Sequence, residues 1–126
     1  MKGMKCYRQG RRNNSCRRGA TRTAIIVGGC PPDAGGDVIC NDLTRVNIKD
    51  GKGSDYIHAN YVKGDYLQNT FICTQGPMPT TICDFWRMIV CENVTHIVML
   101  CETMENGKQK CEQYWPAALD GKMTIE

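Results

Sequence analysis

The sequence lacks the cysteine and histidine spacings of a metal site. Its nine cysteines include no Cys-x-x-Cys pair, and its two histidines, His58 and His96, stand far apart. No apolar run approaches the length of a membrane span, and the first 30 residues have no signal-peptide core beyond the six residues TAIIVG. We therefore expect no metal, no cofactor and no membrane span. Reduced, mostly buried thiols in a cytoplasmic protein fit the cysteine content better than a secreted disulfide framework.

Acidic residues are missing from one end of the chain. Residues 1–30 hold eight Lys or Arg and no acid, whereas the rest holds eight bases and thirteen acids. The stretch GGCPPDAGG follows, and its glycines and prolines interrupt regular structure. We predict a disordered basic tail at residues 1–36 and a folded region at residues 37–126. Tyr7 is the one aromatic in the Arg-rich part, so a solvated tail is favoured over a specific nucleic-acid site.

Alternation and apolar runs predict strands after residue 54. DYIHANYV, residues 55–62, alternates as a half-buried strand does, and FICTQGP, residues 71–77, supplies a second strand that ends at Gly-Pro. An antiparallel hairpin is the economical arrangement of these two. The run THIVMLC, residues 95–101, suits a strand covered on both faces at the centre of a sheet. A turn at Asn106-Gly107 then leads into another strand, and KMTIE, residues 122–126, begins one more.

One helix is indicated at about residues 80–92. Apolar side chains recur there at helical spacing, namely Ile82, Phe85, Trp86, Ile89 and Val90. Thr81 and Asp84 have the spacing of a capping box at its start. The predicted fold class is therefore α+β (mixed α/β), a mixed β-sheet with one packed helix.

Five blocks of the sequence, in this order, resemble the opening of the protein tyrosine phosphatase domain. They are DVICNDLTRVNI, SDYIHANYV, FICTQGPMPTTICDFWRMI, HIVML and ENGKQKCEQYWP, and together they cover about residues 37–126. The resemblance implies an incomplete phosphatase fold, because it extends over about the first third of such a domain. It also implies the chemistry of the complete domain, which hydrolyses phosphotyrosine in protein substrates without a cofactor. That chemistry uses a cysteine thiolate in a Cys-x5-Arg loop, an aspartate on a Trp-Pro-Asp loop and a water-positioning glutamine.

The resemblance carries three residues over as candidates for the site, and no catalytic residue. Asp37 matches the aspartate that holds the main chain of a bound phosphopeptide, although Gly35 replaces the aromatic lid expected two residues earlier. Glu105 and Lys110 match the charged pair of the loop that supports the active site. There the glutamate orients the phosphate-binding arginine and the lysine reaches toward the general acid. Solvated charges of a hairpin are the alternative for both residues.

Two Cys-x5-Arg spacings do occur in the basic tail, at residues 6–12 and 16–22. Neither follows an apolar strand, which a phosphate-binding loop requires, and chance accounts for such spacings where arginine is abundant. Trp115-Pro116 is followed by Ala117, so it is not the Trp-Pro-Asp loop. We expect this polypeptide alone to be inactive.

Three hypotheses about the origin and role of the polypeptide remain open. It is a truncated or partial product of a gene for an active phosphatase, or a short inert phosphatase-like module that binds or regulates a protein partner. In the third hypothesis the basic tail binds nucleic acid or a membrane surface through its charge.

Cys111, between Lys110 and Glu112, has the local charges of a reactive thiol. If residues 110–115 form a strand, Lys110, Glu112 and Tyr114 lie on one face, and Cys111 lies on the other with Gln113 and Trp115. The lysine then points away from the thiol. We therefore predict a buried structural cysteine.

Overall fold

The computed structural model describes residues 5–8, 23–29, 39–118 and 123. Its elements are β1 (Lys5–Arg8), β2 (Thr23–Gly28), β3 (Arg45–Asn47), β4 (Tyr56–Val62), β5 (Thr70–Gln75), α1 (Ile82–Cys91), β6 (Val94–Met99), β7 (Met104–Glu105) and β8 (Lys108–Gln109). The predicted α+β class is confirmed. The strand expected at residues 122–126 and the site residue Asp37 lie outside the described residues.

Six of these strands form one mixed sheet in the order β1-β6-β2-β5-β4-β3. The expected hairpin of β4 and β5 is antiparallel, as are the pairs β3–β4 and β1–β6. β2 instead runs parallel to both of its neighbours, β5 and β6. Since β5 and β6 therefore point the same way, α1 is the crossover between them, as parallel strands require.

The helix packs on the core through every apolar residue that the spacing indicates except Val90. Phe85, Met88 and Ile89 are buried, whereas Val90 is 62% exposed. The predicted capping box is wrong, because no side chain caps the helix. Thr81 Oγ1 instead accepts a hydrogen bond from the Met78 amide at 2.9 Å, and Asp84 binds Arg87 at 2.7 Å. Arg87 thus takes the carboxylate that the capping box needs.

β2 corrects the expectation of low order throughout residues 1–36. Thr23–Gly28 pairs with β5 on one side and with β6 on the other, and Ile25 and Val27 are fully buried. The physical reason is burial, because each such side chain contributes about 1.5–3 kcal/mol when it leaves water. The strand also covers edges of β5 and β6 that would otherwise be open. A domain boundary at residue 37 stays a prediction.

β6 is a strand, as its apolar run indicates, and it lies between β1 and β2. The side chains of β6 alternate in burial: Ile97 and Met99 are buried, and His96 and Val98 are half-buried. Among the described residues, no helix has the length and apolar character needed to span a membrane.

Candidate active-site wall

The carboxyl ends of the three parallel strands lie together at one edge of the sheet. The Gly76 amide, just after β5, donates to the Gly28 carbonyl of β2 at 2.6 Å, and the Leu100 amide, just after β6, donates to the Val27 carbonyl at 2.9 Å. Ligands of open sheets with parallel strands commonly bind beyond such ends. We therefore expect the predicted site residues Glu105 and Lys110 to lie at this edge.

The hairpin of β7 and β8 extends this edge. Its turn has Asn106 and Gly107 at φ 52° and 74°, the left-handed conformation that a tight hairpin turn requires, which confirms the Asn-Gly turn. The Lys110 amide donates to the Thr103 carbonyl at 2.9 Å and continues the pairing beyond β8. The hairpin places Glu105 and Lys110 on the segment that joins β6 to the chain after β8.

Glu105 and Lys110 are both half-buried. Glu105 Oε1 accepts a hydrogen bond from the Glu102 amide at 3.2 Å, within the same hairpin. Lys110 lies against the end of β2, since a Cβ placed on Gly29 would be 3.3 Å from Lys110 Cβ. The structure thus brings Lys110 to the edge formed by the parallel strands. Glu105 stays on the hairpin and binds its base.

Cys111 is buried, as predicted, with 3% of its surface exposed. The strand argument that led to this prediction is wrong, because residues 110–115 form no strand and Tyr114 is buried with Cys111. The Glu112 amide donates to the Pro77 carbonyl at 2.8 Å, and this bond fixes the chain against the Gly76-Pro77 segment. Tyr114 then packs on Phe85 of α1, with ring centroids 4.7 Å apart.

The electrostatics around Cys111 oppose a thiolate. Burial, together with the nearby Cys101 and Glu112, raises the pKa of Cys111 to about 12. Burial and Glu105 also raise the pKa of the Cys101 thiol above its ordinary value. A catalytic cysteine needs the opposite shift, because the thiolate is the nucleophile. Neither of these two thiols therefore has the environment of such a nucleophile.

A concavity of about 200 Å³ lies between β4, β5 and the start of α1. His58, Gln75 and Asp84 are among the residues that line it. Asp84 accepts a hydrogen bond from Arg87 at 2.7 Å, so its carboxylate is already bound to a cation. Within the described part of the chain, no group of three or more His, Cys, Asp or Glu side chains is arranged to hold a metal ion.

Comparison with known proteins agrees with the sequence blocks. The family model described as protein-tyrosine phosphatase matches residues 35–126. The chain belongs to this family. Tyrosine-protein phosphatase 1 of Dictyostelium discoideum is 51% identical over 82 residues, which are 63% of this chain and 16% of that protein. Human tyrosine-protein phosphatase non-receptor type 12 is 46% identical over 83 residues, which are 64% of this chain and 11% of that protein.

A solved structure from a study of PTPN18 and distinct HER2 tyrosine phosphorylation sites is similar in fold. The TM-score is 0.59 at 34% identity, and the match covers 71% of this chain and 32% of that one. This phosphatase-family chain thus spans less than a fifth of the two curated relatives named above. The family match begins at residue 35, so β2 lies outside it although β2 is a central strand of the sheet. The apolar run TAIIVG was the sequence signal for β2, but the surrounding arginines, glycines and prolines obscured it.

Proposed function

We propose that the folded region supplies the supporting wall of a site that hydrolyses phosphotyrosine in proteins, and that this polypeptide by itself is inert. The observation that carries the proposal is the position of the hairpin. It sets Lys110 beside the ends of three parallel strands, while the thiol next in sequence is buried and has a raised pKa.

Inertness follows from the chemistry of phosphoryl transfer to sulfur. The reaction needs a thiolate near neutral pH and converging backbone N–H groups that hold the phosphate. Cys101 and Cys111 both have raised pKa values, and no apolar run of the sequence precedes the Cys-x5-Arg spacings at residues 6–12 and 16–22. The family's Trp-Pro-Asp sequence does not occur in the 126 residues.

The roles of the three site residues belong to the same proposal. Lys110 reaches toward a general acid and Glu105 orients a phosphate-binding arginine, with Asp37 holding the substrate main chain. Half-burial of Glu105 and Lys110 supports their part, because a charge held at a fixed place exerts a directed field. We further propose a cytoplasmic location, which the six free cysteines among the described residues support.

Hydrolysis of p-nitrophenyl phosphate by the purified 126-residue polypeptide tests inertness. We expect no turnover above the buffer rate. Turnover that disappears when a single cysteine is changed to serine would show that the proposal is wrong. Nine single Cys→Ser variants cover every thiol in the chain.

A fusion tests the role of the wall. The polypeptide is joined to the rest of the catalytic domain of the Dictyostelium relative, and kcat is measured. We expect the fusion to be active, and Lys110→Ala or Glu105→Gln to lower its kcat by about tenfold to a hundredfold. Lys108→Ala, at the exposed tip of the same hairpin, is the matched control and should change kcat little. Equal effects of all three substitutions would contradict the proposed roles.

A second function, an inert phosphatase-like binding module, is favoured by the burial in β2. Because Ile25 and Val27 are fully covered in the sheet, the chain has a core of its own. This function predicts that the purified polypeptide unfolds in a single cooperative thermal transition. It also predicts that the folded polypeptide binds a protein partner. A polypeptide that shows no cooperative transition would exclude it.

A further inference from the structure

The loop between β4 and β5 presents a tyrosine to solvent. Every residue from 62 to 69 is exposed, and Tyr66 lies in the middle of this stretch with 99% of its surface exposed. The Leu67 amide donates to the Gly64 carbonyl at 2.9 Å, so Tyr66 is the third residue of a tight turn. The turn holds the phenol at the tip of the loop.

The other tyrosines whose side chains the structure describes are held by their surroundings. Tyr56 belongs to the paired strand β4, and its ring centroid lies 5.4 Å from the guanidinium carbon of Arg45. Tyr61 is half-buried in the same strand, and Tyr114 has 1% of its surface exposed. An enzyme reaches these three side chains fully only when part of the fold opens. Tyr66 needs no such opening.

The backbone around Tyr66 can be taken into the groove of a second protein. Binding sites and modified residues are commonly found on surface loops of this kind, because a loop can be grasped without loss of the core. The turn is closed by the bond between Leu67 and Gly64, and water can replace that bond when the turn opens. Eight consecutive exposed residues therefore leave the segment on both sides of Tyr66 free for an enzyme to bind.

We propose that Tyr66 is a phosphorylation site for a tyrosine kinase that uses ATP. The proposal does not depend on the proposed phosphatase role. The phenol oxygen of Tyr66 attacks the γ-phosphorus of ATP, the bond from that phosphorus to the β–γ bridging oxygen breaks, and ADP leaves. The phenol proton passes to the catalytic carboxylate of the kinase. One ATP thus yields one phosphotyrosine and one ADP.

The phosphate would remain at the surface of the protein. It adds about 1.5 to 2 negative charges at neutral pH, and at a side chain that is 99% exposed these charges stay in water. We therefore expect the fold to stay intact when Tyr66 is phosphorylated. The three phosphate oxygens are then available to the arginine side chains of a protein that binds phosphotyrosine.

Phosphorylation of the full polypeptide by a purified tyrosine kinase of broad specificity, with ATP and Mg²⁺, tests the proposal. Trypsin cleaves after Lys63 and Arg87, so residues 64–87 carry Tyr66 as their only tyrosine, whereas Tyr56 and Tyr61 fall within residues 53–63. Mass spectrometry of the two peptides therefore separates the initial rate at Tyr66 from the others. We expect the rate at Tyr66 to exceed the combined rate at Tyr56 and Tyr61 by at least about tenfold.

The peptide of residues 46–87 is the unfolded reference. Cleavage after Arg45 and Arg87 releases it, and it holds Tyr56, Tyr61 and Tyr66 together. In this peptide the three tyrosines differ only in their neighbours along the sequence. Folding should leave the rate at Tyr66 within about threefold of its rate in the peptide and slow the rates at Tyr56 and Tyr61 by at least about tenfold.

Two variants complete the experiment. Tyr66→Phe should remove the phosphate from residues 64–87, and Tyr56→Phe, the matched control, should leave the rate at Tyr66 unchanged. Faster modification of Tyr56 or Tyr61 than of Tyr66 in the folded polypeptide would overturn the proposal. So would an equal slowing of all three tyrosines by folding, or the absence of phosphate on Tyr66 in both the polypeptide and the peptide.

Discussion

Gly76 and Cys111 pack so closely that a Cβ on the glycine would lie 2.8 Å from Cys111 Cβ and 3.1 Å from the Lys110 carbonyl oxygen. Gly76→Ala should therefore lower the free energy of unfolding by about 1–3 kcal/mol, as overpacking of a core does. The Gly28→Ala control meets no atom within 4 Å and should change this free energy by less than about 0.5 kcal/mol. Urea unfolding of the two variants measures the difference, and equal losses would contradict the close packing.

The position of β2 in the sheet predicts unequal effects on stability when two adjacent isoleucines are substituted. Ile25 is fully buried, while Ile26 on the opposite face of the sheet is half-buried. Ile25→Ala should lower the free energy of unfolding by about 2–5 kcal/mol, and Ile26→Ala should lower it by clearly less. Chemical denaturation compares the two variants. Small and equal effects would mean that Thr23–Gly28 does not lie in the sheet.

Arg87 should make the stability of the fold depend on pH, because it pairs with the carboxylate of Asp50. Its guanidinium donates two hydrogen bonds to Asp50, at 2.8 and 2.6 Å, and they hold the pKa of that carboxyl well below its usual range. Since the folded state lowers this pKa, the pair stabilises the fold fully above the ordinary carboxyl pKa of about 4. The stabilisation is lost as pH falls below that value.

Thermal unfolding between about pH 6 and pH 2 checks this dependence. The Tm of the wild type should fall more steeply with decreasing pH than the Tm of Asp50→Asn. Asp42→Asn is the control, because Asp42 is 95% exposed and lies 3.9 Å from Arg45. Its curve should follow the wild type, since exposed ion pairs contribute little. Parallel curves for wild type and Asp50→Asn would refute the role of the pair.

Tyr114 anchors the segment after the hairpin to the helix. It has 1% of its surface exposed, and its carbonyl accepts a hydrogen bond from Trp86 Nε1 at 3.2 Å. Tyr114→Ala should lower the free energy of unfolding by about 3–5 kcal/mol. Tyr66→Ala, at a tyrosine that is 99% exposed, is the matched control and should have an effect near zero. A similar loss for both would contradict the anchoring role.

Much of the fold was predictable because local signals agreed with tertiary packing. Alternation marked β4, a short run ending at Gly-Pro marked β5, an Asn-Gly turn marked the β7–β8 hairpin, and helical spacing marked α1. The capping box failed because Arg87 competes for Asp84, and sequence spacing does not show that competition. Burial of Cys111 was predicted from a strand that does not form. Its true cause is packing against Gly76, which lies 35 residues earlier in the chain.

β2 could not be predicted by the same means. Its six residues stand among arginines, glycines and prolines, and composition over a longer window therefore indicated low order. Its place is set by two strands far along the chain, β5 and β6, which need a partner on each open edge.

The absence of a phosphatase nucleophile from this polypeptide is the central claim, and alkylation of its thiols tests it most directly. The polypeptide is treated with iodoacetamide at about pH 6, with and without orthovanadate as a phosphate analogue, and each cysteine is followed by mass spectrometry. We predict that none of the nine cysteines is both rapidly modified at this pH and protected by vanadate. A single thiol that shows both properties would contradict the claim.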